Sequence, residues 1–229
     1  MRFYTYYTEN LSHIREDHKK CCDKLELDVV YYRDKCYTDY NEVYSAHGNF
    51  MTSVLEDGQG DVVGFLDIDC LPHHRQNIQK AYKWAEQNGS FVGNAQNISH
   101  TQIKNRIYAA ASFLIVSKHA WRQLGKPSLS WFLQNGEQID TAQILSLRAD
   151  EAGFPYQLMY PLGYDQSQDA YQLGPYGTYG IGTLYPATWH YFRISNCVDY
   201  TPDLWKERTY NILNGERITP TNSSCFYEL

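Results

Sequence analysis

The feature that most constrains the fold is an apolar run, Val62-Val63-Gly64-Phe65-Leu66, that breaks into two acids one residue apart, Asp67-Ile68-Asp69, before Cys70-Leu71-Pro72. A continuous apolar stretch, rather than an alternating one, is what a strand covered on both faces presents, as in a parallel sheet. Covering both faces takes helices on both sides, and parallel neighbours need crossover connections to supply them. The chain's 229 residues suffice for one α/β domain with a sizeable core. Its 43% hydrophobic and 20% charged content is that of a folded globular chain, not a disordered one.

The remaining segments supply the alternation this requires. Arg2 to Thr8 is aromatic and β-branched and reads as a first strand. Leu11 to Leu25 carries apolar residues at helical intervals, and Leu27 to Tyr32 is a second β-type run. Tyr40 to Leu55 reads as a helix stopped by Asp57-Gly58-Gln59-Gly60. After the Asp61 to Leu66 strand, the chain is expected to turn at Leu71-Pro72. A helix over Arg75 to Gln87 follows, closed by Asn88-Gly89. Phe91 to Gly93 and Tyr108 to Val116 read as strands, Ser117 to Leu124 and Asp140 to Ala152 as helices, and Tyr156 to Tyr160 as a strand. Asp165 to Tyr185, with glycines at 174, 177, 180 and 182 among tyrosines, reads as a mobile loop or a hairpin over a site. Pro202 to Leu213 is a last helical candidate. The expectation is a single α/β domain with a mostly parallel central sheet flanked by helices over residues 1–195, and a helical tail, 196–229, packed on it.

Several function classes are set aside. Met1-Arg2-Phe3-Tyr4-Thr5-Tyr6-Tyr7 lacks the basic and apolar regions of a signal peptide. No run reaches the roughly 18 apolar residues of a membrane span; the longest, Ala109 to Val116, is interrupted by Ser112. Cysteines at 21, 22, 36, 70, 197 and 225 form no CxxC pair and read as reduced thiols, which suits a cytoplasmic protein. A net charge of −6 argues against nucleic acid as the main partner. The 21 tyrosines are the compositional bias, and each offers a flat stacking face with a hydroxyl, suited to sugars and bases.

In an extended segment residues i and i+2 point to the same side, so Asp67 and Asp69 should face a common space at the end of a buried strand. Two like charges there repel unless a cation lies between them. Mg²⁺ and Mn²⁺ take oxygen ligands and complete their shells with substrate phosphates. Strand ends in open α/β sheets are also where ligands bind. A solvated pair of turn aspartates is the plainer alternative.

Phe65-Leu66-Asp67-Ile68-Asp69, about sixty residues after the opening Phe-Tyr-Thr-Tyr-Tyr segment, resembles the DxD motif of GT-A-fold glycosyltransferases. Tyr108 to Ser117 is similar to the small-residue strand ending in serine that follows the motif. Glu137-Gln138-Ile139-Asp140-Thr141 is similar to the acidic segment facing the acceptor. Trp189-His190-Tyr191-Phe192-Arg193 resembles the late histidine segment that supplies a third metal ligand in some members. The resemblance implies Mn²⁺ or Mg²⁺ held by Asp67, Asp69 and His190 against a nucleotide-sugar diphosphate, with Arg193 neutralising phosphate charge. It implies Asp140, with Glu137 in reserve, as the base that deprotonates the acceptor hydroxyl of a glycan or other acceptor. Thr5, Tyr7 and Tyr32, at the ends of the first two strands, would lie near the nucleotide. Asn94-Ala95-Gln96-Asn97 would lie near the sugar.

Alternatives remain for each. Asp140 could be a helix N-cap, and His190 a locally bonded histidine. His73-His74 reads as a solvated helix start. For the whole chain, a metal-dependent nucleotidyltransferase or phosphohydrolase would use the same carboxylates, and a non-catalytic carbohydrate-binding protein would use the tyrosines without metal.

Overall fold

A computed structural model describes residues 1–97, 107–134, 137–192 and 201–223. The first half runs β1 (Arg2–Thr8), α1 (Ser12–Lys24), β2 (Asp28–Asp34), α2 (Tyr40–Asp57), β3 (Val62–Leu66), β4 (Cys70–Pro72), α3 (Arg75–Asn88) and β5 (Phe91–Asn97). Next come β6 (Ile107–Ser117), α4 (Lys118–Gln123), β7 (Phe132–Gln134), β8 (Glu137–Ile139), α5 (Gln143–Ala152) and β9 (Gln157–Met159). The last part holds β10 (Gly163–Tyr164), β11 (Gln166–Gln172), β12 (Thr178–Leu184), β13 (Thr188–Tyr191), α6 (Pro202–Asn214) and β14 (Asn222–Ser223).

The central sheet has six strands in the order β2-β1-β3-β6-β5-β9. β1 is parallel to β2 and β3, and β5 is parallel to β9, while β6 runs antiparallel to both β3 and β5. The α/β class with a mostly parallel sheet is therefore what the chain adopts, with β6 as the reversed strand. A purely parallel order would have needed a crossover helix between β5 and β6. β3 is buried at all five positions, as a strand covered on both faces must be. One face packs on α2, α4 and α5 through Met51, Leu55, Phe65, Trp121 and Leu145. The other packs on α3 and α1 through Phe3, Cys22, Ile78, Ala85 and Phe113.

Local sequence sets the helix ends. The His74 side chain accepts from the Asn77 amide to start α3, and Gly89 closes it in the left-handed conformation at φ 57°. α6 begins with a proline in its first turn, where no amide partner is lost, and ends at Gly215. Its Trp205 is buried against Trp189 and Tyr191.

A second, antiparallel sheet runs β14-β10-β12-β13-β4, with β11 added on β12. Its member β4 stands where a turn at Leu71-Pro72 was expected. Pro72 is the last residue of the strand, a place where its missing amide costs little. The Asp165 to Tyr185 segment contains the β11–β12 hairpin. Residues 67–69 thus carry the chain from the central sheet into the second one. No helix among the described residues is long and apolar enough to cross a membrane.

Candidate functional site

β3 ends at Leu66 and a tight turn follows. The Asp67 amide donates to the Ser112 carbonyl at 3.0 Å, the Cys70 amide to the Asp67 carbonyl at 3.0 Å, and the Tyr191 amide to the Asp69 carbonyl at 2.8 Å. Backbone from both sheets therefore fixes this turn. The extended geometry expected for Asp67 and Asp69 is replaced by a bend that still aims both at one cavity of about 290 Å³. Ile68, 3% exposed, packs in the apolar cluster around Trp189 and Tyr191.

β13 brings His190 to the same place, its Nε2 3.5 Å from Asp69 Oδ1. The Gln96 amide nitrogen lies 3.3 Å from His190 Nδ1 and also donates to Ser112 Oγ at 3.3 Å. Asn94, directly behind, donates to Thr188 Oγ1 at 3.1 Å. The β5–β6 register breaks between Gly93 and Asn94, and Ala110, Ala111 and Ser112 of β6 line the cavity. Such irregularities re-aim side chains beside sites. The expected trio Asp67, Asp69 and His190 is thus brought together, and Gln96 is the part of the Asn94–Asn97 segment that reaches the cavity.

The α2 wall was not anticipated. His47 and Tyr44 both line the cavity, and His47 Nε2 lies 3.4 Å from Asp67 Oδ1. The imidazole stacks on the Tyr6 ring, centroids 5.2 Å apart and planes 9° off parallel. The helix approaches the Leu129–Ser130 backbone so closely that a Cβ on Gly48 would fall 2.3 Å from Ser130 Cα. Only glycine permits that contact, which holds His47 in place.

Asp140 also lines the cavity. Its Oδ2 accepts from the Tyr108 hydroxyl at 2.5 Å and its Oδ1 from the Thr141 amide at 2.8 Å. It is not an N-cap: α5 starts at Gln143, preceded by Ala142 in the left-handed region at φ 64°. A non-glycine residue there stores on the order of 1 kcal/mol or more of strain, of the kind that collects at functional sites. Burial, and then the charge of Asp140, push the Tyr108 phenol well above its ordinary pKa, so it stays a proton donor to the carboxylate. Glu137 sits in β8 opposite Gln134, and of that strand Gln138 reaches the cavity.

Two nucleotide candidates move elsewhere. Strand alternation sends Thr5 and Tyr7 to the face opposite Tyr6. Thr5 is fully buried with no partner for its hydroxyl among the described residues, and Tyr7 packs edge-on against Tyr31 in the core. Neither lines the cavity. Tyr32 is 48% exposed and stacks on Phe50 and on Tyr6, so an aromatic layer of Tyr6, Tyr32, Phe50 and His47 adjoins the cavity. Arg193 lies outside the described residues. His74 serves as the α3 cap and His73 Nε2 lies 2.9 Å from the Tyr185 carbonyl, both away from the cavity.

The cavity wall holds three carboxylates, Asp67, Asp69 and Asp140, and among the described lining residues no lysine or arginine. Asp67 is raised above the usual carboxylate range. Loss of hydration is the main cause, with Asp69 and Asp140 adding to it against the opposing pull of His47 and His190. Hard carboxylate oxygens beside the imidazoles of His47 and His190 form a donor set that suits Mn²⁺ or Mg²⁺. Among the described residues no three His, Cys, Asp or Glu groups close into a cage for an ion. The residues present fit a cation held by one or two carboxylates and completed by substrate phosphate. Tyr171 of β11 and Phe192, just after β13, form the aromatic wall, ring centroids 5.6 Å apart.

No protein-family model and no curated protein sequence matches the chain. Among solved structures, the galactosyltransferase LgtC in complex with donor and acceptor sugar analogs is similar over 99% of this chain and 87% of its own, at 10% identity and TM-score 0.43. A197 from STIV is similar over 65% of this chain and 78% of its own, at 13% identity and TM-score 0.38. A glycosyltransferase involved in glycosylation of the major capsid of PBCV-1 is similar over 53% of this chain, which spans 62% of that protein, at 12% identity and TM-score 0.37.

Proposed function

We propose that the chain is a divalent-metal-dependent glycosyltransferase that moves a sugar from a nucleotide-diphosphate donor to an acceptor hydroxyl. One observation carries this: Asp67, Asp69 and Asp140 share a cavity whose described lining has no lysine or arginine. A diphosphate entering would face these three carboxylates with no lysine or arginine among the described lining, so the site suits an anion that arrives with a cation. Asp67 and Asp69 are the residues that would hold the ion, with His190 adjoining. When bound, a divalent ion supplies Lewis-acid charge neutralisation on the departing diphosphate.

The chain's own residues account for the rest. Gln96, itself held by Ser112, lies against His190 Nδ1, leaving Nε2 turned toward Asp69. The layer of Tyr6, Tyr32 and Phe50 offers a nucleobase a stacking surface beside the cavity. Asp140 is the base: its carboxylate, fixed by Tyr108, lines the same cavity as Asp67 and Asp69 and accepts the acceptor's hydroxyl proton.

The test is phosphorus NMR of UDP- and GDP-sugars incubated with the protein, Mn²⁺ and a panel of hydroxyl acceptors. Release of nucleoside diphosphate supports sugar transfer. Release of sugar 1-phosphate, with or without free nucleoside monophosphate, supports nucleotidyl or phosphohydrolase chemistry instead. An unchanged spectrum with every donor sinks the enzymatic reading.

A further inference from the structure

The tyrosines of the β11–β12 hairpin divide into two sets. Tyr179 and Tyr185 are buried, and their phenols donate to the backbone carbonyls of Asn97 and Ala95, tying the second sheet to β5. Tyr171 and Tyr176 make no hydrogen bond through their hydroxyls among the described residues. Tyr171 forms part of the cavity wall and meets Tyr179 at 5.3 Å and Phe192 at 5.6 Å. Five residues on, at the hairpin tip, Tyr176 is 51% exposed, its ring stacked on Tyr160 at 4.7 Å and 18°. Gly174 at φ 61° and Gly177 at φ 108° make that tip possible, and the Leu173 amide closes it on the Gly177 carbonyl at 2.8 Å. Tyr160, Tyr171 and Phe192 all pack on the small cluster of Ala95, Leu173 and Tyr179, so the surface pair and the cavity pair are set along one apolar support.

We infer that this aromatic track is a binding site for an extended saccharide, so that the acceptor is a glycan of at least two rings whose terminal unit sits in the cavity against Tyr171 and Phe192. Sugar rings present one face of C–H groups that lies on an aromatic ring, and equatorial hydroxyls that bond to phenols at its edge. Tyrosines whose hydroxyls have no partner among the described residues fit that chemistry, where an apolar peptide would be served better by aliphatic side chains. A half-exposed tyrosine held flat by a second one is also a rigid platform, which lowers the ordering cost of binding. This inference rests on the glycosyl-transfer reading for the role of the cavity, but the track itself is tested separately.

The experiment is calorimetric titration, without nucleotide or metal, of neutral glucose, galactose and N-acetylglucosamine tetrasaccharides and of the matching monosaccharides. Wild type, Tyr176→Ala and Tyr176→Phe are compared. At least one tetrasaccharide should bind about tenfold or more tightly than its monosaccharide. Tyr176→Ala should erase that gain, and Tyr176→Phe should keep most of it. Equal affinity for every tetramer and its monomer, no saccharide binding at all, or a length gain that survives Tyr176→Ala would overturn the inference. So would binding of a serine- and threonine-containing peptide that depends on Tyr176 when no saccharide does. Saccharide binding that persists while no donor nucleotide-sugar is bound would instead defeat the transferase reading and leave the track standing.

Discussion

His47 Nε2 lies 3.4 Å from Asp67 Oδ1, which ties helix α2 to the turn that ends the central strand. The imidazole is held from behind by Tyr6, so the pair is a fixed contact between two elements and not a loose surface ion pair. Its side chains are 15% and 25% exposed, which places the interaction between the weak surface regime and the strongly desolvated one. Replacing His47 by alanine should destabilise the metal-free protein by about 2 kcal/mol through the lost partner and the lost ring contact. In an Asp67→Asn background the same replacement should cost measurably less. Urea denaturation of the four proteins reads that coupling, and strict additivity would show that the two residues do not interact.

Asp67→Asn alone should have the opposite sign. Burial raises the Asp67 carboxyl above its unfolded value, so its contribution favours folding below the ordinary carboxylate range. That contribution is lost as pH rises through the folded-state pKa. In chelator at neutral pH the asparagine variant should therefore be the more stable by on the order of 1 kcal/mol, a rise of a few degrees in melting temperature. Millimolar Mn²⁺ should raise the melting temperature of wild type and leave the variant unmoved. A variant that melts lower in chelator would mean the Asp67 charge is already compensated by His47 and His190.

Asp140 is assigned the proton transfer, and Tyr108 its orientation. Asp140→Asn should lower kcat for sugar transfer by about 10² or more while leaving donor binding within a factor of two or so. Tyr108→Phe should lower kcat by a smaller factor, about fivefold to tenfold, because it frees the carboxylate without removing it. Steady-state rates at saturating donor separate these outcomes, and an Asp140→Asn enzyme of wild-type kcat would exclude Asp140 as the base.

Behind the Asp67–Cys70 turn, His18 is fully buried, with Nδ1 2.8 Å from the Tyr31 hydroxyl and Nε2 unpartnered. Burial lowers its pKa to about 4, against the opposing pull of Asp69 and the nearby backbone of Asp67 and Cys70; Cys22, the other titratable neighbour, sits 3.6 Å from Nδ1. A depressed histidine pKa gives stability that is complete above the unfolded value near 6.5 and is lost as pH falls toward 4. Between pH 7 and pH 5 the wild type should lose about 2 kcal/mol more than a His18→Asn variant does. Parallel losses in chemical denaturation at the two pH values would show that His18 protonates freely in the fold.

Much of this arrangement could be read from local pattern. β1 and β3 are visible because aromatic and apolar runs of strand length are bounded by turns, and Asp67 and Asp69 because they interrupt a buried strand. β6 was visible as a strand but not in its direction, which depends on register with β3 and β5 rather than on its own residues. β4 is three residues ending in proline, too short for a periodic signal. Tyr6, not Tyr7, faces the His47 side; a strand's end does not reveal which face meets the ligand, and a one-residue change of parity exchanges the two. His47 carried a signal that went unused: it is the polar member of the stripe Tyr44, His47, Met51, Val54 on α2, a helical spacing otherwise given to the core. Tyr108, Gln138 and Phe192 lie inside the resembling segments without any mark that singles them out, Tyr171 lies in none of them, and only the tertiary fold brings Gln138, Tyr171 and Phe192 to the cavity and Tyr108 to Asp140.

The central claim is that Asp67 and Asp69 bind a nucleotide-sugar diphosphate through a divalent cation. Calorimetric titration of UDP- and GDP-sugars into wild type and Asp69→Ala, each with Mn²⁺ and with chelator, tests it most directly. The account predicts binding of at least one donor by wild type in Mn²⁺, weakened tenfold or more by chelator and by Asp69→Ala alike. Donor binding of equal strength in all four conditions would contradict it.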